Sequence, residues 1–200
     1  MVTLSPPGSK VFKVVLIGDG AVGKTSLRKR YLGEGFVASH MATLGVDFAQ
    51  KRFEFNGVQV RLIIWDLAGQ PSYEKVRRHY YFGSHGIVLV YSVVDRESFD
   101  NASKWLVEAY KYMGQLPPTA VLGNKTDLRE SSSRESIITT EEGKRFADYF
   151  SERLPVPVVF RETSALKGEN IEEAFTELTK LMIEIDERTR FQPEPSRPHE

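Results

Sequence analysis

The sequence predicts an α/β protein built on a mostly parallel six-stranded sheet with one antiparallel edge strand and about five helices. Three observations carry this. Apolar runs of strand length alternate with segments of helical periodicity. The dipeptide Asn56-Gly57 separates two strand-like runs, "VDFAQKRFEF" and "VQVRLIIW", and signals a two-residue hairpin turn. A glycine-rich loop, "GDGAVGKTS", follows the first apolar run directly.

The elements follow in order. Residues 11–17 form a buried strand and residues 24–31 the helix after it. The hairpin comes next, and "RRHYY" reads as an exposed helix face. "GIVLVYSV" is a second buried strand. Residues 98–113 form one helix, with Phe99, Ala102, Leu106, Ala109, Tyr110 and Met113 on its inner face. "TAVLGN" is a strand. Thr139 and Glu142 have the spacing of a capping box and open a helix. "VPVVFRET" is the last strand. Asn170 and Glu173 then offer a similar start to a final helix striped by Ile171, Ala174, Phe175, Leu178, Leu181, Met182 and Ile185. Ligands of such sheets bind beyond the carboxyl ends of the strands.

Bulk properties bound the function. The chain has 200 residues, with 27 acidic and 27 basic side chains, so no overall cationic field recruits nucleic acid. It has no cysteine, which excludes disulfides, thiolate metal sites, cysteine nucleophiles and prenyl or palmitoyl attachment. The first residues have no apolar core of a signal peptide, and no run approaches the roughly 18 apolar residues of a membrane span. The expectation is a cytoplasmic monomer with no lipid anchor. Residues 1–9 read as a flexible lead, 10–188 as one folded domain, and 189–200 as a flexible proline-rich tail. The four histidines show no ligand spacing.

The loop at 18–25 fits G-x-x-x-x-G-K-[ST]. Glycines let the backbone curl, and its N–H groups form an anion nest backed by a helix N-terminus. The candidate phosphate-binding residues are Asp19, Gly20, Ala21, Val22, Gly23, Lys24, Thr25 and Ser26. Lys24 supplies a point charge and Thr25 a hydroxyl for Mg²⁺. The ligand is a nucleoside triphosphate. Which base it carries is suggested by Asn124, Lys125 and Asp127 in "GNKTD". A carboxylate accepts two hydrogen bonds from the N–H edge of guanine, whereas adenine offers a lone pair and leaves the acceptor unpaired. "ETSAL" follows the next strand, with Ser164, Ala165 and Leu166 beside the base and the Ala165 N–H suited to a base carbonyl oxygen.

Taken together, "GDGAVGKTS", "TLGVDF", "WDLAGQ", "YYFGSHGIVLVYSV", "GNKTDL" and "ETSAL" make the chain resemble the small GTPases of the Ras superfamily, most closely the Rab branch, over residues 10–188. The resemblance implies a three-layer P-loop GTPase fold, the G domain. It implies that Thr43 ligates Mg²⁺ and senses the terminal phosphate, and that Asp66 also holds Mg²⁺. It implies that Phe36 packs on the guanine, that the Gly69 N–H reports the γ-phosphate, and that Gln70 orients the attacking water. Gln70 and Lys24 are then the catalytic pair. Phe48, Trp65 and Tyr80 match the aromatics through which Rab proteins meet effectors, although each is also an ordinary sheet or helix aromatic. GTP and GDP are the bound nucleotides; effectors, an exchange factor and an activating protein are the partners implied.

Two positions depart from the family pattern. Leu67 stands where threonine is usual and Pro71 where Rab proteins have glutamate. Proline restricts the backbone of Gln70 before it. No arginine is evident in the sequence to act in cis, so slow turnover is expected. A guanine-nucleotide-binding scaffold with little turnover is the rival reading, and a P-loop kinase a weaker one.

Overall fold

The computed structural model describes residues 9–34 and 43–191. The elements are β1 (Lys10–Ile17), α1 (Lys24–Tyr31), β2 (Val46–Phe55), β3 (Val58–Leu67), α2 (Glu74–Tyr81), β4 (Gly86–Ser92), α3 (Arg96–Asp100), α4 (Ala102–Met113), β5 (Thr119–Asn124), α5 (Thr140–Arg153), β6 (Val158–Thr163) and α6 (Ile171–Phe191). The sheet order is β2-β3-β1-β4-β5-β6. Among the described residues only the β2–β3 strand pair is antiparallel, and Asn56 and Gly57 turn between those strands with φ of 49° and 80°. Both positive values are what a type I′ hairpin requires.

Strand burial explains the order. β4 and β5 are buried at every residue, as befits central strands covered on both faces. β2 alternates and lies at an edge. Along β1 the side chains divide by parity. Val14 and Leu16 join one core with α1 and α6, where Tyr31 stacks on Phe175 at 3.9 Å between centroids. Val15 and Ile17 join the other, with Tyr81 of α2, Leu106 of α4 and Ala147 of α5. Each large aliphatic side chain so enclosed contributes ~1.5–3 kcal/mol. The result is three layers, α/β/α.

Three expectations about helices are corrected. The stretch 98–113 is not one helix. Asp95 caps a start at Arg96 by accepting from the Ser98 N–H, and the Lys104 N–H bonds the Asn101 carbonyl three residues back. That i→i+3 contact splits α3 from α4, so there are six helices among the described residues. On α4 the inner face holds Trp105, and Tyr110 is 51% exposed. On α6, Ile185 points outward, while Asp186 beside it pairs with Lys10 at 2.7 Å. No helix among the described residues is long and apolar enough to cross a membrane.

The capping box at α5 forms as expected. The Glu142 N–H donates to Thr139 Oγ1 at 3.2 Å and the Thr139 N–H donates to Glu142 Oε2 at 2.8 Å. Arg96 also donates to Glu142 Oε1 at 2.9 Å. The Arg96 guanidinium, helped by the Thr139 N–H, holds the Glu142 carboxyl down at about 2. A depressed value stabilises the fold above the unfolded carboxylate range and loses that contribution as the pH falls through the folded value. Glu142→Ala is therefore expected to lower unfolding free energy by ~1 kcal/mol at neutral pH. Urea denaturation should show the gap between the two proteins closing as the pH falls from about 4.5 toward about 2.

Candidate functional site

The loop behind β1 has the curl its glycines allow. Gly23 sits at φ 101°, and a Cβ there would lie 2.4 Å from the Asn124 amide nitrogen. Ala21 also takes a positive φ of 61°. Gly23 stands at the N-terminus of α1 with no side-chain cap, so the first helical N–H groups face the loop. Lys24 is buried, and its ammonium donates to the Gly18 and Asp19 carbonyls, both at 2.7 Å. Burial pushes the Lys24 ammonium down to about 8, against the pull of Asp66 and Asp19.

Thr25, Thr43 and Asp66 converge. Thr25 Oγ1 donates to Asp66 Oδ2 at 2.5 Å and lies 3.0 Å from Thr43 Oγ1. Asp66 is wholly buried at the carboxyl end of β3, and its Oδ1 has no partner. Burial raises the pKa of this carboxyl. Three hard oxygen ligands around one point, one of them with an unsatisfied buried atom, fit a Mg²⁺ ion. Arg28 lies beside them, buried, with Nη2 donating to Asp47 at 2.6 Å and Nε 4.0 Å from Asp66. Nothing in the sequence pattern singled it out.

The segment 67–73, switch II by the resemblance given above, presses against the same loop. A Cβ at Gly69 would lie 2.5 Å from the Asp19 carbonyl carbon and the Gly20 nitrogen, so only glycine admits this approach. Gln70 is extended, with φ −77° and ψ 140°, as the following proline demands. Pro71 opens a short 3₁₀ turn, Pro71–Tyr73, where its missing N–H costs nothing. Leu67, in place of the family threonine, is fully buried in the core shared with α2 and α4.

On the other side of the loop, Asn124 is buried and braces the phosphate loop, the end of β6 and the loop after it. Its amide donates to the Val22 carbonyl at 2.9 Å, and its oxygen accepts from Thr163 Oγ1 and the Ala165 N–H, both at 3.2 Å. The Ala165 N–H, expected to face the base, is thus engaged by Asn124. Ser164 donates to Asp127 Oδ1 at 2.5 Å and holds that carboxylate in place. Lys125 takes a left-handed φ of 70° to turn the chain between Asn124 and Asp127. Leu166 is exposed. Phe36 lies outside the described residues.

The three aromatics form one patch. Phe48 and Trp65 are cross-strand partners with centroids 5.1 Å apart, and Tyr80 lies 4.9 Å from Trp65. Phe48 is 61% exposed. The stretch "RRHYY", expected to be an exposed face, is corrected at both ends: Arg77 is 2% exposed and Tyr81 is fully buried. Arg77 shares the inner side of α2 with Tyr81 four residues on, a spacing that could have revealed it.

A model of the Ras family matches residues 13–184. Ras-related protein RABD2b of Arabidopsis thaliana is 37% identical over 193 residues, which covers 96% of this chain and 88% of that protein. Ras-related protein RABD1 of the same plant is 39% identical over 165 residues, 82% of this chain and 76% of the relative. The GTP-binding protein ypt1 of Schizosaccharomyces pombe is 36% identical over 181 residues, 90% and 84%. The chain belongs to the Ras family and is a Rab-like small GTPase.

Replacing Asn124 by alanine strips partners from the Val22 carbonyl and the Ala165 N–H together. Each buried orphan costs ~1–3 kcal/mol. Asn124→Ala is expected to lose ~2–4 kcal/mol in urea denaturation and, with it, guanine-nucleotide retention on gel filtration.

Proposed function

We propose that this Rab-like GTPase is a timed switch: it holds guanine nucleotide with Mg²⁺, cleaves GTP slowly, and engages effectors only while GTP is bound. The observation that carries the reading is the meeting of Thr25, Thr43 and Asp66 at one point beside Lys24. Thr43 precedes β2 and Thr25 belongs to α1, so a ligand at that point ties the start of β2 to the phosphate loop.

On this reading, Lys24 leaves the Gly18 and Asp19 carbonyls for the outer phosphates, and the N–H groups of residues 20–26 surround them. Thr25, Thr43 and Asp66 would hold Mg²⁺, whose charge would offset that of the phosphates when bound. Asp127, held by Ser164, accepts from the guanine edge, while Lys125 flanks the base and Asn124 keeps both base loops in register. The Gly69 N–H meets the terminal phosphate, and Gln70 orients the attacking water. Both buried arginines among the described residues are already committed: Arg28 to Asp47, and Arg77 to Glu108 and main-chain carbonyls. Neither is free to act at the phosphates, so turnover is slow. An activating protein that supplies an arginine raises such rates by roughly 10³–10⁵. The Phe48–Trp65–Tyr80 patch spans β2, β3 and α2, and so joins the two segments that nucleotide state rearranges; effectors dock there, in vesicle trafficking.

The test is single-turnover hydrolysis. Protein loaded with GTP and Mg²⁺ is expected to convert it to GDP over minutes to hours, followed by chromatography. Gln70→Leu should slow that conversion at least tenfold and leave nucleotide affinity unchanged. GTP that remains intact on the wild-type protein would leave a nucleotide-holding scaffold instead.

A further inference from the structure

We propose that Arg77 is a positioning residue for hydrolysis, fixing the main chain on both sides of Gly69 and so the approach of Gln70. The inference rests on the role given to Gln70 above. One guanidinium nitrogen, Nη1, donates to the Ala68 carbonyl at 3.0 Å and to the Gln70 carbonyl at 2.7 Å. These two carbonyls bracket Gly69, which has no side chain of its own to hold it. The Gln70 carbonyl also accepts from the Tyr73 N–H at 3.1 Å, and Pro71 brings no N–H to this corner.

The clamp is itself held. Arg77 Nε and Nη2 donate to the two carboxylate oxygens of Glu108, each at 2.7 Å. Tyr81 donates to the same carboxylate at 2.8 Å. The guanidinium lies 4.5 Å over the Trp105 ring. Trp105 in turn donates through Nε1 to Asp19 Oδ1 at 2.6 Å, and Asn101 donates to Asp19 Oδ2 at 2.8 Å. Arg77, Trp105 and Glu108 share the wall of a cleft of about 510 Å³ that also opens onto Asp19 and Gln70. One turn of α4 therefore fixes the phosphate loop through Trp105 and switch II through Glu108 and Arg77. The fork geometry of arginine matters here, since a lysine ammonium cannot serve a bidentate carboxylate and two carbonyls at once.

A purely structural role is the competing explanation, and the two separate experimentally. Replacing a buried ion pair by apolar residues of similar volume is often neutral for stability. The double substitution Arg77→Met with Glu108→Met removes the clamp and leaves no unpaired buried charge. Arg77→Lys keeps the charge and loses the fork. Wild type, both variants and Gln70→Leu are compared by melting temperature, GDP and GTP affinity, and single-turnover rate at saturating GTP. The expected result is a folded protein with lowered melting temperature, since Tyr81 and the Ala68 carbonyl lose partners, near-native affinity, and hydrolysis slowed ~10–100-fold in both Arg77 variants, the size of a small misplacement at a reacting centre. If the double variant does not fold, Arg77→Lys decides. A folded Arg77 variant that cleaves GTP within about twofold of wild type overturns the inference alone. A wild-type protein that binds GTP and never cleaves it overturns the role of Gln70 and this inference with it.

Discussion

A single buried amide holds the loops at the carboxyl end of the sheet together. Asn124 ends β5 and meets the phosphate loop, the end of β6 and the loop after it. Its partners Val22 and Ala165 lie 102 and 41 residues away, so little local force aligns the two loops. The amide is short and rigid, and it is 1% exposed. Buried polar groups must be paired, which makes this arrangement all-or-none rather than graded. Gly23 is glycine partly because the amide stands where its Cβ would be.

The other half of the site is governed by charge. Asp66 is buried where desolvation disfavours its anion, and Lys24 is buried where desolvation disfavours its cation. The fold brings both to the same corner, with Arg28 and Asp47 at its edge. Each is tolerable only beside opposite charge or a ligand that supplies it. A phosphate chain with Mg²⁺ supplies both signs at once. Switch II is the third component: Gly69 is seated against Asp19 and Gly20 by main-chain contact, and α4 supports it from behind.

Much of this was legible because some sequence signals act locally. Asn56-Gly57 needs only its own backbone to turn, and Thr139 with Glu142 needs only one helical turn. The apolar runs of β1, β4 and β5 read as buried because no exposed strand would carry them. The phosphate loop was visible because lysine and glycine occur at a fixed offset behind a strand. What was missed depends on partners far away in sequence. Arg77 looked solvent-facing because a single helix window does not show Glu108, 31 residues on. Asn101 broke the α3–α4 helix where the periodicity ran straight through it. Tyr110 and Ile185 were placed inward by a stripe that, over several turns, drifts off the face the neighbours cover. The bond from the Ala165 N–H to Asn124, 41 residues before it, leaves no local mark either. Pro71, by contrast, did what its ring dictates, and left Gln70 extended.

On the proposed reading, this corner selects guanine nucleotide with Mg²⁺. The most direct measurement is competition: a fluorescent GDP bound to the protein is displaced by GDP, GTP or ATP, with Mg²⁺ present or chelated. ATP is expected to compete at least ~10⁴-fold more weakly than GTP, because adenine would leave the Asp127 carboxylate unpaired, and chelation to speed release. Displacement by ATP within about tenfold of GTP, or release indifferent to chelation, would contradict it.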